Sequence, residues 1–431
     1  MTDSDQYRHE SHRLQWGLIA LMAAIGTPAI FLEITNSHPE PWIGAIVFGV
    51  AILGGAFLLS WAAETAEMDI SQGLALAIIA FIAVLPEYAV DFVLAWQAGG
   101  DPAEAEKGLA VANMTGGNRL LIGVGWPLVF ILFFYRTKLR ELVVDRQRSL
   151  ELAFLTMATL YVIFVPLRTT LTLIDTIVLV TMFAIYLYYT SRVESEEVEL
   201  VGPARAMGSL NDLPRRLTVA GVMVSAAVII IAAAHPFTEA LKELGEEVGI
   251  SEFLLIQWIA PLASESPEML VASLLAWRGR AAVGMGALIS SKVNQWTLLI
   301  GTLPLAFMLS SGDWGLTNGL PLDHRQREEI LLTAAQSAFA IAVFVNLKMA
   351  PREALALFVL FATQLAITNE QARIVYSFVY IGLCIVLLAL HRSDVRDTWR
   401  MAWTILTGRK IEDHEAPGEP RAEPEVGSVG P

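Results

Sequence analysis

Two glutamates, Glu87 and Glu268, each directly follow a proline inside a long apolar stretch. A proline in a helix leaves the carbonyl four residues earlier without its hydrogen bond. A carboxylate beside freed carbonyls is the kind of oxygen set a hard cation takes. Asp91 lies four residues after Glu87 and Glu265 three before Glu268, so each shares a helix face with its neighbour. An ionisable side chain within an apolar span costs about 2.5–3.5 kcal/mol on insertion scales, so each one needs a reason. Two bases, Arg119 and Lys292, fall in apolar stretches as well. Asp91 and Glu265 then either form a vestibule that draws cations in or neutralise these bases. The bases either make structural ion pairs or stand in for one bound cation. Four acids against two bases leave a formal −2, enough for one divalent ion or for two monovalent ions or protons.

The elements that hold these residues must be membrane helices. Of 431 residues, 55% are hydrophobic and 17% charged, whereas soluble chains run at about 45–50% and about 25%. Spans of roughly 20 apolar residues are expected near 16–33, 42–61, 72–98, 108–135, 149–167, 169–190, 217–235, 252–278, 281–311, 329–347, 353–369 and 374–391. Spans 72–98 and 252–278 are long enough to tilt or break, and hold Pro86 and Pro267. With a cytoplasmic N-terminus, 21 of the 29 Lys and Arg fall in inner segments and six in outer ones. That bias puts both termini inside, with the plasma (inner) membrane as the expected location. Trp42, Trp61 and Trp126 read as interface residues. Glu64, Glu67 and Asp69 read as a solvated inner loop.

Several functions are excluded. The net charge of −14 argues against nucleic acid as a partner. The lone Cys384 allows no disulfide framework. No Gly-rich phosphate loop is present, so ATP is not a visible energy source. No nucleophile, base and orienter constellation is legible, so no enzyme and no resident cofactor is expected. The partners are the lipid bilayer and small cations; no oligomeric state is legible.

The chain repeats itself. Pro-Glu-Tyr-Ala-Val-Asp-Phe-Val-Leu-Ala-Trp after Val84-Leu85 answers Pro-Glu-Met-Leu-Val-Ala-Ser-Leu-Leu-Ala-Trp after Ser266. Downstream, Asn113–Asn118 and Ser290–Asn294 each run into Leu-Leu-Ile-Gly. Each unit, 42–190 and 217–369, counts five spans, and an odd number makes the second enter the membrane from the opposite side. That is the inverted-topology arrangement of secondary transporters. The expected architecture is an all-α integral membrane protein of two inverted five-helix repeats with one extra helix at each end, about 12 transmembrane helices in total. The N-terminus and first extra helix occupy 1–41 and a cytoplasmic linker 191–216. The last extra helix is 370–391, and 392–431 is an acidic disordered tail.

At these residues the chain resembles the cation/calcium antiporter superfamily, which includes sodium/calcium and proton/calcium exchangers. That family carries Gly-Thr-Ser-x-Pro-Glu on the second helix of each repeat and Gly-Ser-Asn-x-x-Asn/Asp on the third. The resemblance implies that Glu87 and Glu268 ligate a transported cation. Ser291 matches the family serine and Gln295 the final Asn/Asp. Asn113 and Asn118 match earlier asparagines, while Gly117 takes the serine position and Leu121 that of the last ligand; aligning the Leu-Leu-Ile-Gly segments instead shifts this register. Ala83, Val84, Ser264 and Glu265 replace the Thr-Ser pairs, and Lys292 replaces an asparagine. Calcium takes six to eight oxygens, so these losses and the added ammonium point toward protons or a monovalent ion. The expected function is secondary antiport of a cation (Na+, H+ or Ca2+) by alternating access. Its site would be Glu87, Glu268, Asp91, Glu265, Asn113, Asn118, Ser291, Asn294 and Gln295, tuned by Lys292 and Arg119. The alternative is a transporter-derived membrane scaffold or sensor that no longer moves ions.

Overall fold

The computed structural model describes residues 3–66, 68–69, 85–192, 200–367 and 369–407, with side chains from Arg13 onward. Helices α1 (Asp3–Ile34) and α2 (Pro41–Ala66) come first, then α3 (Leu85–Gly100), which opens on the first Pro-Glu. After a short α4 (Pro102–Lys107), helix α5 (Leu109–Leu120) continues through a π-helical turn at Leu121–Gly125 into α6 (Trp126–Thr137). Strand β1 (Leu142–Val143), α7 (Ser149–Val162), β2 (Thr170–Thr172) and α8 (Leu173–Thr190) follow. Beyond α9 (Pro203–Gly208) comes α10 (Asp212–Val248), 37 residues long, then α11 (Glu252–Trp277) with Pro261 and Pro267 inside it. Helix α12 (Ala281–Asn294) passes through a second π turn at Gln295–Leu299 into α13 (Ile300–Ser311). The chain then forms β3 (Gly319–Pro321), α14 (His324–Val343), β4 (Lys348–Met349), α15 (Pro351–Leu365), α16 (Glu370–Leu390) and α17 (Arg392–Leu406).

Three pairs join distant parts of the chain, α2 along α10, α3 along α13 and α5 along α11, while α14 packs along the nearby α16. Two antiparallel ribbons tie loops of the first part to loops of the second. β1 pairs with β4 through Leu142 and Met349, and β2 with β3 through Leu171 and Leu320. The fold is thus helical with two short ribbons rather than strictly all-α.

Among the described residues eight stretches are long and apolar enough to cross a membrane, including Pro102–Thr137 and Ala281–Ser311 with their π turns. Much of expected span 72–98, with Ala83 and Val84, lies outside the described residues. The other three expected spans are helices that fall short on composition or length. α11 and α14 carry buried Gln257, Glu265, Glu328 and Glu329, and α15 has only 15 residues.

Three expectations change. The segment 392–431 is not a disordered tail throughout, because α17 is helical. Val395, Thr398, Ala402 and Leu406 recur at helical spacing and form a seam. Thr398 and Ala402 are buried, and Thr398 Oγ1 donates to the Val345 carbonyl at 2.6 Å. Dense charge on the opposite face hid that seam. Trp126 is not an interface residue: it is fully buried, edge-on to Phe344 with ring centroids 5.2 Å apart. The inner acids are not merely solvated, since Glu64 accepts from the Val201 amide at 2.5 Å. Asp69 receives Arg215 Nε and a second guanidinium nitrogen at 2.7 Å each, plus Arg216 Nε at 2.9 Å. Glu67 lies outside the described residues. The hydrogen bond from Arg215, above all, holds the Asp69 carboxyl down at about 2 against 3.8. A depressed folded-state value means this clasp stabilises above about pH 4 and is lost as pH falls toward 2.

Candidate cation-binding site

Prolines in α11 set up the site. Pro261 cannot donate to the Gln257 carbonyl, and Gly116 on α5 lies against that carbonyl so closely that a Cβ would sit 1.8 Å from it. Only glycine allows this approach. The next residue, Gly117, then faces two acids: a Cβ there would lie 3.2 Å from Glu87 Oε1 and 3.3 Å from Glu265 Oε1. Gln257 Nε2 also reaches Thr115 Oγ1 at 3.4 Å.

Glu87 from α3 and Glu265 from α11 meet carboxyl to carboxyl, both almost fully buried. Asp91 and Glu268 bring their charges to bear on Glu87 as well. Glu268 is half-buried, with the Ser291 hydroxyl beside it. Asp91 Oδ1 accepts from Asn113 Nδ2 at 2.9 Å, and Glu265 Oε1 accepts from Gln295 Nε2 at 2.5 Å. Six buried oxygens around these residues have no hydrogen bond: Glu87 Oε1, Asp91 Oδ2, Asn113 Oδ1, Glu265 Oε2, Ser291 Oγ and Gln295 Oε1. Asn294 stands nearby, accepting from the Tyr88 hydroxyl at 2.9 Å.

Lys292 is fully buried, with no carboxylate within 4 Å among the described residues. Its ammonium donates to Asn118 Oδ1 at 2.5 Å and lies 4.2 Å from the centre of the Trp296 ring. It still feels Glu87 and Glu265 electrostatically. Asn118 is thereby engaged with a base rather than with the acids.

Arg119 does not join the four acids. It turns to the other side of α5, where it pairs with Glu329 on α14 at 2.6 Å and stacks over Trp258. Glu329 in turn holds Arg373 of α16 at 3.2 Å. Sequence reasoning missed Glu329, although two adjacent acids at the edge of an apolar stretch were a signal. It also missed Tyr88 and Trp296, whose roles depend on partners far along the chain.

A family model described as sodium/calcium exchanger protein matches the chain twice, over residues 40–192 and 218–369. The chain belongs to the sodium/calcium exchanger family. Among solved structures, that of an H+/Ca2+ exchanger, CAX, is 42% identical, with a TM-score of 0.88, covering 92% of this chain and 100% of that one. The exchanger fold is shared with native YfkE (15% identity, TM-score 0.58, 84% of this chain and 99% of that one). It is shared also with the sodium-calcium exchanger NCX_Mj (16% identity, TM-score 0.51, 76% and 98%). No curated protein sequence matches. The chain is a membrane protein of the cation antiporters, a class of transporters rather than enzymes.

The lack of a side chain at Gly117 has a measurable role. Gly117→Ala would push a methyl against two carboxylate oxygens in a packed interior. The two carboxylates would have to move apart by a few tenths of an ångström, so the affinity of the purified protein for its transported cation should fall several-fold by titration calorimetry. An unchanged affinity would mean that the gap between Glu87 and Glu265 is not where the ion sits.

Proposed function

We propose that the protein exchanges calcium for protons by alternating access, at a site formed by Glu87, Glu268, Glu265 and Asp91 with Asn113, Ser291 and Gln295. The observation that carries this reading is the meeting of two buried carboxyls, Glu87 and Glu265, between α3 and α11, with buried oxygens of Asp91, Asn113 and Gln295 on neighbouring residues left without hydrogen bonds. Calcium takes six to eight oxygens. Glu265, Asp91 and Gln295 thus offset the oxygens missing relative to the family pattern, and calcium becomes a better candidate than the sequence suggested. Two carboxyls in contact repel unless a proton or a cation stands between them. Protons and calcium therefore compete for one gap, which is the coupling an antiporter needs. Similarity to an H+/Ca2+ exchanger along the whole of that chain favours the same pair of ions.

Two inverted repeats, 42–190 and 217–369, would bring the halves together here. The double family match and the two ribbons support that division. So do the π turns, each beginning three residues after Asn118 or Lys292, which favours the register pairing Asn118 with Lys292 and Gly117 with Ser291. Equivalent residues that touch each other lie on the axis relating the halves, and Asn118 and Lys292 do touch. The excess of Lys and Arg in one set of loops favours cytoplasmic termini and a plasma-membrane location.

Reconstitution into proteoliposomes tests the function directly. An acid interior should drive calcium uptake that collapses when the pH difference is dissipated. Uptake driven by a sodium gradient alone would reassign the counter-ion. Absence of gradient-driven uptake by either ion would favour the scaffold or sensor.

A further inference from the structure

A second cluster of ligand-type side chains lies where α14 and α16 begin side by side, apart from the oxygens of the central site. His324 and Glu328 stand one turn apart on α14, and Glu370 is the first residue of α16. His324 Nδ1 lies 2.8 Å from Glu328 Oε1 and 3.5 Å from Glu370 Oε2. One nitrogen and two carboxylate oxygens all fall within 4.8 Å of one another. Glu328 is only 4% exposed, and neither of its oxygens has a hydrogen bond beyond the ion-pair approach of His324. Arg373 comes no nearer than 3.8 Å, to Oε2. A buried carboxylate with so few partners is costly, and here it lies beside two further ligand-type groups, His324 and Glu370.

We infer that His324, Glu328 and Glu370 form a binding site for a divalent transition metal, with zinc the best match. A tetrahedral zinc with bonds of about 2.05 Å spaces its donors roughly 3.3 Å apart, and the contacts from His324 bracket that value. An imidazole among the donors suits zinc and disfavours calcium or magnesium, which take oxygen. The positive ends of two helices oppose a cation, but two carboxylates outweigh them. Three protein donors leave a fourth position for water. The metal would staple α14 to α16 one residue from Glu329, the acid that holds Arg119 and Arg373.

Titration calorimetry with zinc chloride on the full chain in detergent tests this, comparing the parent with His324→Ala, Glu370→Gln and Glu87→Gln. His324 and Glu370 are 67% and 55% exposed at the side chain, so their replacement leaves the fold in place, which melting without metal verifies. The parent and Glu87→Gln should bind one zinc and melt higher with it. His324→Ala and Glu370→Gln should bind at least tenfold more weakly and lose the zinc-induced rise in Tm. Equal zinc affinity in all four proteins, no zinc binding by the parent, or loss of binding in Glu87→Gln alone would each overturn the assignment.

Discussion

Glu87→Gln and Glu268→Gln should each abolish gradient-driven calcium uptake, by at least a hundredfold, without unfolding the protein. A carboxylate about 4 Å from a divalent ion contributes a gross attraction of ~8 kcal/mol at an effective dielectric of 20. Each 1.4 kcal/mol is a factor of ten, so even a strongly offset attraction exceeds two decades. Glutamine keeps the shape and the hydrogen-bonding capacity. At Glu87 it also removes a like charge touching Glu265, so the melting temperature should hold or rise. Uptake within twofold of the parent in either variant would remove that residue from the site.

Lys292→Gln should tighten calcium binding. The side-chain amide can still donate to Asn118 Oδ1, the partner of the ammonium at 2.5 Å, so the change removes charge and keeps the contact. A unit positive charge about 8 Å from a divalent ion costs ~4 kcal/mol at a dielectric of 20. An increase in affinity of at least tenfold is therefore expected by calorimetry. The loss of the Trp296 contact should lower the melting temperature modestly, since an ammonium over an aromatic ring is worth about 2 kcal/mol when desolvated. Destabilisation without tighter calcium binding would make Lys292 a packing element alone.

Local spacing carried much of this molecule. Proline followed by glutamate in two apolar stretches, with Asp91 and Glu265 one turn away, singles out the four acids from spacing alone. Helix ends mostly fell within a few residues of the apolar boundaries, because burial in lipid leaves the backbone few options. What spacing could not carry was direction across the bundle. Arg119 and Asn118 are neighbours in sequence, yet one turns to Glu329 and the other to Lys292, partners about 170 to 210 residues away. Leu121 read as the missing ligand and Gly117 only as the holder of the family's serine position, whereas Gly117 leaves room beside two carboxylates. In α17 the charge count outweighed a short seam of Val395, Thr398, Ala402 and Leu406.

The contact between Asn118 and Lys292 also bears on ancestry. Two copies of the first half, joined as a homodimer, would bring two asparagine amides together, and each amide can donate to the other. Two copies of the second half would press two ammonium groups against each other, at ~4 kcal/mol for charges 4 Å apart at a dielectric of 20. On the proposed two-fold relation, a lysine at this position is tolerable only opposite a different partner. It would have become acceptable once the halves were free to diverge within a single gene, and from then on the second half could no longer pair with itself.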